Sequence, residues 1–320
     1  MPSLSAIIIS PDGLTTVRRL VDHLAKQSAR QEMELVFVFP ESASKLLDEP
    51  TVGKFAAVQV ITVENMVSTS VARAAGIRAA IAPIVVMTED HSFPESEWAE
   101  ALIKAHNADW AVIGPSVKNG NPYSLLSWAN FAIEYNDWLH PVPAGEIMHL
   151  PGHNSAYKRD ILMQVYDDDL ENWFDSESVL HWDMRARGYR LAADPEVVTF
   201  HWNFSKLWPT MKLRWHAGRQ FAGCCKLRWA KSRSLLYFFG SPLIPLVRLY
   251  RIVKQLRHPE RPAHLLPRLI PVCLFLLGVE AAGGAVGFLL GQGSSSEHIA
   301  KIDFHRQDNM NARDRAQFAG

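Results

Sequence analysis

Three cysteines in 320 residues leave little room for disulfide chemistry. Cys224 and Cys225 are adjacent and Cys273 sits in an apolar run, so no disulfide framework is visible. No Cys/His spacing matches a zinc site either. Net charge is also missing. Lys and Arg number 33 and Asp and Glu number 33, which argues against a generally basic nucleic-acid binder. The first apolar run is followed by Ser10-Pro11-Asp12-Gly13-Leu14, which is not a glycine-rich basic loop. Neither G-x-G-x-x-G nor G-x-x-x-x-G-K-S/T occurs. Sequence support for a dinucleotide enzyme, a P-loop NTPase or a nucleotidyl transferase is therefore lacking. No internal repeat is apparent. Met1 to Ser5 carries no basic residue, and Ala6-Ile7-Ile8-Ile9 is too short for a signal-peptide core. A cytosolic body is the expectation.

What is present is a chain with 48% hydrophobic residues, enough to build one large domain or two ordinary ones around a core. The charge balance hides an asymmetry. Residues 206–268 hold 14 Lys and Arg against the single acid Glu260, whereas residues 1–205 carry a net charge of −12. An acidic body is joined to a basic, aromatic arm.

In the body, strand and helix signals alternate. Ala6–Ser10, Glu34–Phe39, Val58–Val63, Pro83–Thr88 and Trp110–Ile113 read as strands. Thr15–Lys26, Thr69–Ile81 and Ser96–His106 read as helices, with Asp12 near an N-cap of the first. Such alternation predicts an α/β fold, an open and mostly parallel sheet flanked by helices. Ligands of such sheets bind at the carboxyl ends of strands, here just after Ser10, Phe39, Val63 and Thr88.

Three segments carry candidate chemistry. Glu89-Asp90-His91 follows a strand; two acids and an imidazole there suit a divalent cation, or form an acidic turn that caps a helix. Leu150 to Arg159 contains Gly152-His153-Asn154-Ser155-Ala156, whose glycine permits close approach of a ligand to backbone. Phe174-Asp175-Ser176-Glu177 opens a helix that Gly188 would close, ahead of short strands at Tyr189–Ala192 and Val197–His201. A carboxylate at that helix start is either a general base or a simple partner of the helix dipole.

In order and spacing, these segments resemble the family 2 glycosyltransferases, which have the GT-A fold. The resemblance runs over residues 5–205 through Ala72-Arg73-Ala74-Ala75-Gly76-Ile77, Glu89-Asp90-His91 with Pro94 and Trp98, Gly152 to Ala156, Ser176-Glu177, Gly188-Tyr189-Arg190, and Pro195 with His201. It implies an inverting transfer of sugar from a nucleotide-diphosphate sugar to a hydroxyl of a carbohydrate or lipid-linked acceptor. Glu177 takes the place of the base, with Asp175 in reserve. Ser10, Glu41, Arg73, Glu89 and Asp90 fall on the nucleotide-sugar side and Gly152, His153 and Asn154 on the acceptor side. A divalent cation, Mn²⁺ or Mg²⁺, would be held by Glu89, Asp90, His91 and His201. The family's Asp-x-Asp stands here as Glu89-Asp90-His91, its acidic pair as Ser176-Glu177, and the Asn of its Ala-rich helix as Ala74. A degenerate sugar-nucleotide-binding scaffold is thus the alternative expectation.

The basic arm adds a membrane expectation. Leu269 to Gly291 is apolar but for Glu280, and Leu235 to Val247 is a shorter apolar stretch broken by Pro242 and Pro245. Trp208, Trp215 and Trp229 lie amid Lys and Arg, the mixture of a headgroup interface. The arm is expected to hold the body on the cytoplasmic face of an anionic inner membrane rather than to bind nucleic acid. The expected divisions are 1–205 for the catalytic domain, 206–293 for the membrane-associated helical region, and 294–320 for a loosely ordered polar tail.

Overall fold

The computed structural model describes residues 1–41, 53–64, 66 and 68–319. The chain opens with β1 (Leu4–Ile9), α1 (Leu14–Leu24), β2 (Met33–Pro40), β3 (Ala57–Val63), α2 (Thr69–Ala79), β4 (Ile84–Thr88), β5 (Ser92–Pro94) and α3 (Trp98–Ala105). Next come β6 (Val112–Asn119), α4 (Leu125–Tyr135), β7 (Gly145–Glu146), β8 (Ala156–Lys158), α5 (Arg159–Val165), α6 (Leu170–Phe174), α7 (Glu177–Ala186) and β9 (Leu191–His201). Helices α8 (Leu207–Arg228), α9 (Lys231–Gly240), α10 (Ile244–Leu256), α11 (Leu266–Leu290), α12 (Ser295–Phe304) and α13 (Ala312–Ala319) complete it. Two units result. One is Met1–Lys118 with His140–Phe200; the other is Asn119–Leu139 with the chain from His201 onward.

The first unit is built on the expected sheet, in the order β3-β2-β1-β4-β8-β6-β9-β5, with β7 paired to β9. Strands β1, β2 and β4 are buried along almost their whole length, as near-continuous apolar runs must be when helices cover both faces. β1 pairs in parallel with β2 and β4, with Ile7 opposite Val36 and Met87, and β2 pairs in parallel with β3. The other half is mixed. β8 runs antiparallel to both β4 and β6, Ala156 facing Val86 and Ile113. That reversal positions the site. The residues leading into β8 arrive beside the carboxyl end of β4, so the segment 151–155 meets the segment 89–91. The two short strands expected at 189–192 and 197–201 are one strand, β9.

The second unit is helical. Its α4 is capped by Ser124, whose Oγ accepts from the Ser127 N–H at 3.1 Å. Asn130 of α4 donates to Thr210 Oγ1 of α8 at 3.0 Å, and Arg214 of α8 donates to Glu134 at 2.8 Å. Residues 119–139 thus group with the C-terminal helices, and the division falls at 200/201. The C-terminal stretch is not loosely ordered. Asp314 is fully buried and accepts from Asn121 Nδ2 at 3.0 Å, while Trp202 meets Phe318 edge-on at 5.3 Å. Its polar composition hid two helices that bury Ala300 and Phe318, the second capped by Asn311.

Candidate active site

The site lies in the first unit, at the carboxyl ends of β1 and β4. Thr88, the last residue of β4, donates to the Ile7 carbonyl at 2.8 Å and locks the two strand ends together. Glu89-Asp90-His91 leaves from there. His91 is buried, with Nδ1 2.7 Å from Asp90 Oδ1 and Nε2 3.1 Å from Glu89 Oε2. A neutral imidazole has one N–H and can serve only one of those carboxylates. A cation at the other contact turns two facing lone pairs into two ligands, with Asp90 orienting the ring from behind. The donor set therefore fits a divalent cation through Glu89 and His91, and Asp90 acts on the far side of His91.

Glu89 is also met from the loop 151–155, where His153 Nδ1 lies 3.2 Å from its Oε1. From α2, Arg73 reaches to 3.9 Å of the same oxygen. Arg73 is buried on the small-residue helix, and its closer partner is Glu177 at the start of α7, a direct ion pair. Arg73 thus joins the two carboxylates that the sequence assigned to different roles. Asp175 turns elsewhere, accepting from Ser70 Oγ at 2.7 Å.

Gly152 explains why the loop can pass so close. A Cβ there would lie 1.9 Å from the carboxyl carbon of Glu177. Asn154, in the left-handed region at φ 60°, donates its N–H to the Met87 carbonyl at 2.8 Å and its side-chain amide to Ser92 at 2.9 Å. Behind the loop, His181 lies one turn along α7 from Glu177. Burial pushes its pKa down to about 3, so the ring is neutral; Nδ1 accepts from the Leu150 N–H at 3.3 Å, and Nε2 faces the Tyr157 hydroxyl at 2.8 Å. Burial first, then the Glu177 charge, push the Tyr157 phenol well above its ordinary pKa.

The other expected residues have these settings. Ser10 sits buried just past β1 and donates to Asp12 at 2.9 Å. Asp12 also accepts from Thr16 at 3.0 Å; the residue at the N-cap of α1 is Gly13, which offers no side-chain cap. Glu41 follows β2 and is exposed, and the residues after it up to 52 lie outside those described. His201 ends β9, in the second unit, buried, with Nδ1 2.9 Å from Asn203 Oδ1. Sequence reasoning missed Ser70, Tyr157 and His181, as well as the Arg73–Glu177 pair. Only the four-residue spacing of Glu177 and His181 hinted at a shared helix face.

A mixed sheet of this order, with an acid–imidazole group off β4 and a carboxylate at the start of α7, agrees with the GT-A-like architecture expected from the sequence. The chain belongs to glycosyl transferase family 2, whose family model matches residues 5–166, and it is a glycosyltransferase. No curated protein matches it. Solved structures similar to it include S. aureus TarS 1–349 in complex with UDP, at 16% identity and TM-score 0.43 over 89% of this chain and 90% of that one. The mannosyltransferase PcManGT from Pyrobaculum calidifontis in complex with GDP-Man and Mn²⁺ is similar at 15% identity and TM-score 0.43, over 99% and 83%.

Proposed function

We propose that this chain moves a sugar from a nucleotide-diphosphate sugar to a hydroxyl of a carbohydrate or lipid-linked acceptor, inverting the anomeric centre, at the cytoplasmic face of a membrane. One observation carries the reading: Arg73, Glu89, His91, His153 and Glu177 converge around Gly152, with a cation-binding pole and a carboxylate pole joined by one arginine. A divalent cation held by Glu89 and His91 would supply charge to neutralise the departing diphosphate. Glu177 takes the proton of the acceptor hydroxyl. Arg73 holds Glu177 by a direct ion pair at the glycine gap, where an acceptor can approach without a side chain in the way. A single displacement with one base inverts the centre. Asp175, engaged by Ser70, orients the start of α7. Ser10, Glu41 and Asn154 complete the donor and acceptor walls.

Glu177→Gln keeps the size of the side chain and removes its basicity. With UDP-, GDP- and TDP-sugars and Mn²⁺, the wild type is expected to be stabilised by at least one donor and to turn it over. The variant is expected to bind that donor and lose turnover by at least about 100-fold. Turnover near wild-type in Glu177→Gln removes Glu177 from the base role. No stabilisation by any donor favours a degenerate scaffold.

The membrane part of the reading rests on the second unit. Leu236, Phe239, Leu243 and Tyr250 on α9, α10 and the turn between them are 65–75% exposed, and Lys231, Arg233, Arg251 and Lys254 are exposed on the same two helices, with Arg257 exposed just past the second. Two helical stretches, Lys231–Leu256 and Ala263–Leu290, are long and apolar enough to cross a bilayer. An in-plane arrangement suits them better. α11 packs against α8, which bears Lys212, Arg219 and Lys226, and Lys226 Nζ donates to the Leu289 carbonyl at 2.7 Å. A spanning α11 would draw those charges into hydrocarbon.

A further inference from the structure

We propose that His181 is a positioning residue for the transfer: it ties the entry of the loop 151–155 to α7 and so sets the gap between Gly152 and Glu177. This rests on the reading of Glu177 as the base. His181 is fully buried and has no part in the proton transfer itself. Its ring is neutral and carries one N–H. The Leu150 N–H meets Nδ1 at 3.3 Å, so Nδ1 accepts and the proton lies on Nε2. Nε2 then donates to the Tyr157 hydroxyl oxygen at 2.8 Å. One tautomer serves both neighbours, and α7 is joined through a single side chain to the loop entry and to β8.

The two ends of that tie are the two sides of the gap. Glu177 and His181 stand four residues apart on one face of α7. Ser176 gives α7 no side-chain cap, so the tie at His181 bears on where its first turn lies. Leu150 precedes Gly152 by two residues. The Leu150 side chain is buried against Gly114 of β6, where a Cβ would lie 2.2 Å from its Cδ2. At the other end of the loop the Asn154 N–H donates to the Met87 carbonyl at 2.8 Å. Between these anchors a Cβ on Gly152 would fall 1.9 Å from the Glu177 carboxyl carbon. Tyr157 adds a third fixed point, fully buried and edge-on to Phe174 of α6 at 5.6 Å. Loss of the Leu150–His181 bond frees the loop entry from α7, and the gap is no longer held at the width that aligns an acceptor with Glu177.

The test compares His181→Leu, His181→Asn and His181→Gln in the full chain. An Asn carbonyl takes the place of Nδ1 and restores the acceptor for Leu150, whereas a Gln amide takes the place of Nε2 and restores only the donor to Tyr157. Kinetics are measured with Mn²⁺ and the UDP-, GDP- or TDP-sugar that the wild type turns over, with rates corrected for the folded fraction. His181→Leu and His181→Gln are expected to lower kcat by at least about tenfold with the donor KM unchanged. His181→Asn is expected to recover to within about threefold of wild type. If His181→Leu does not fold, the order of the Asn and Gln variants carries the test. All variants within about threefold of wild type, or a Gln variant as active as the Asn variant, overturn the proposal and leave Glu177 as the base. Wild type without turnover, or Glu177→Gln with wild-type turnover, overturns the reading of Glu177 and this proposal with it.

Discussion

Gly152 and Glu177 share one small volume, and that sharing sets the first prediction. Gly152→Ala puts a methyl group where the carboxyl carbon of Glu177 stands, so Glu177 must leave its place against Arg73. Displacement of a reacting group by about 1 Å costs on the order of 100-fold in rate. The variant is expected to lose kcat on that scale while its Tm falls only modestly, because the Glu177 side chain is partly exposed and can be displaced. Steady-state kinetics beside thermal unfolding separates the two. A second residue-scale prediction concerns His181 and His106, whose pKa values burial depresses to about 3 and about 4. Both rings stay neutral in the fold and take up protons only when the chain unfolds. The stability they allow is complete above the ordinary histidine pKa of 6.5 and is lost as pH falls below it. Between pH 7 and pH 5 each contributes a loss of about 2 kcal/mol. Urea unfolding across that range checks it, and His106→Gln is expected to flatten the slope by about half.

At the scale of elements, α11 shows how composition and packing diverge. Its sequence is almost continuously apolar, and Glu280 interrupts the middle. In the fold Glu280 forms a direct ion pair with Arg248 of α10 and lies 3.7 Å from Arg214 of α8, which is itself bound to Glu134 of α4. Arg214 is fully enclosed, and the two glutamates raise its pKa against the opposing effect of burial. Glu280→Ala leaves two guanidiniums short of a partner in apolar surroundings. A loss of about 3 kcal/mol is expected, read from chemical or thermal unfolding; Glu280→Gln is expected to cost less. None of this pairing was legible in the sequence, since Arg248 and Arg214 sit 32 and 66 residues from Glu280, and Glu134 sits 80 from Arg214. By contrast β1, β2, β4, α2 and α7 were legible within a few residues. Each has a local signal that tertiary context reinforces: uninterrupted β-branched runs, an Ala-rich face, and Gly188 at φ 92° as a terminator. β8 escaped notice because three residues carry no period, and its antiparallel setting depends on neighbours distant in sequence.

For the molecule as a whole, the net charge of zero joins a body of −12 to a helical region containing the +13 stretch 206–268. The catalytic candidates were legible because chemistry at strand ends must come from a few polar residues on short loops, as at Glu89, His153 and Glu177. How those residues meet was not legible: the Arg73 bridge spans 104 positions. The charge division has a consequence of its own. Two such basic regions repel, which disfavours pairing of two copies through the apolar face of α9 and α10, whereas an anionic bilayer answers both the apolar patch and its cations. Arg233 stacks over Trp229 at 3.9 Å and Lys212 over Trp208 at 5.3 Å, the kind of mixed aromatic and basic edge found at headgroups. The chain is expected to float with vesicles rich in anionic lipid, to float weakly with neutral ones, and to be released as salt rises, at about 1 kcal/mol per engaged cation. Leu236→Glu with Phe239→Glu is expected to abolish flotation and leave turnover of a water-soluble acceptor intact. If α11 lies in the plane, cysteines placed at exposed Ala263 and Leu290, near its two ends, are both labelled from outside sealed vesicles, since the three native cysteines are buried. Labelling of one end alone would mean that α11 crosses the bilayer, and equal flotation with neutral and anionic vesicles would remove the basic residues from the attachment.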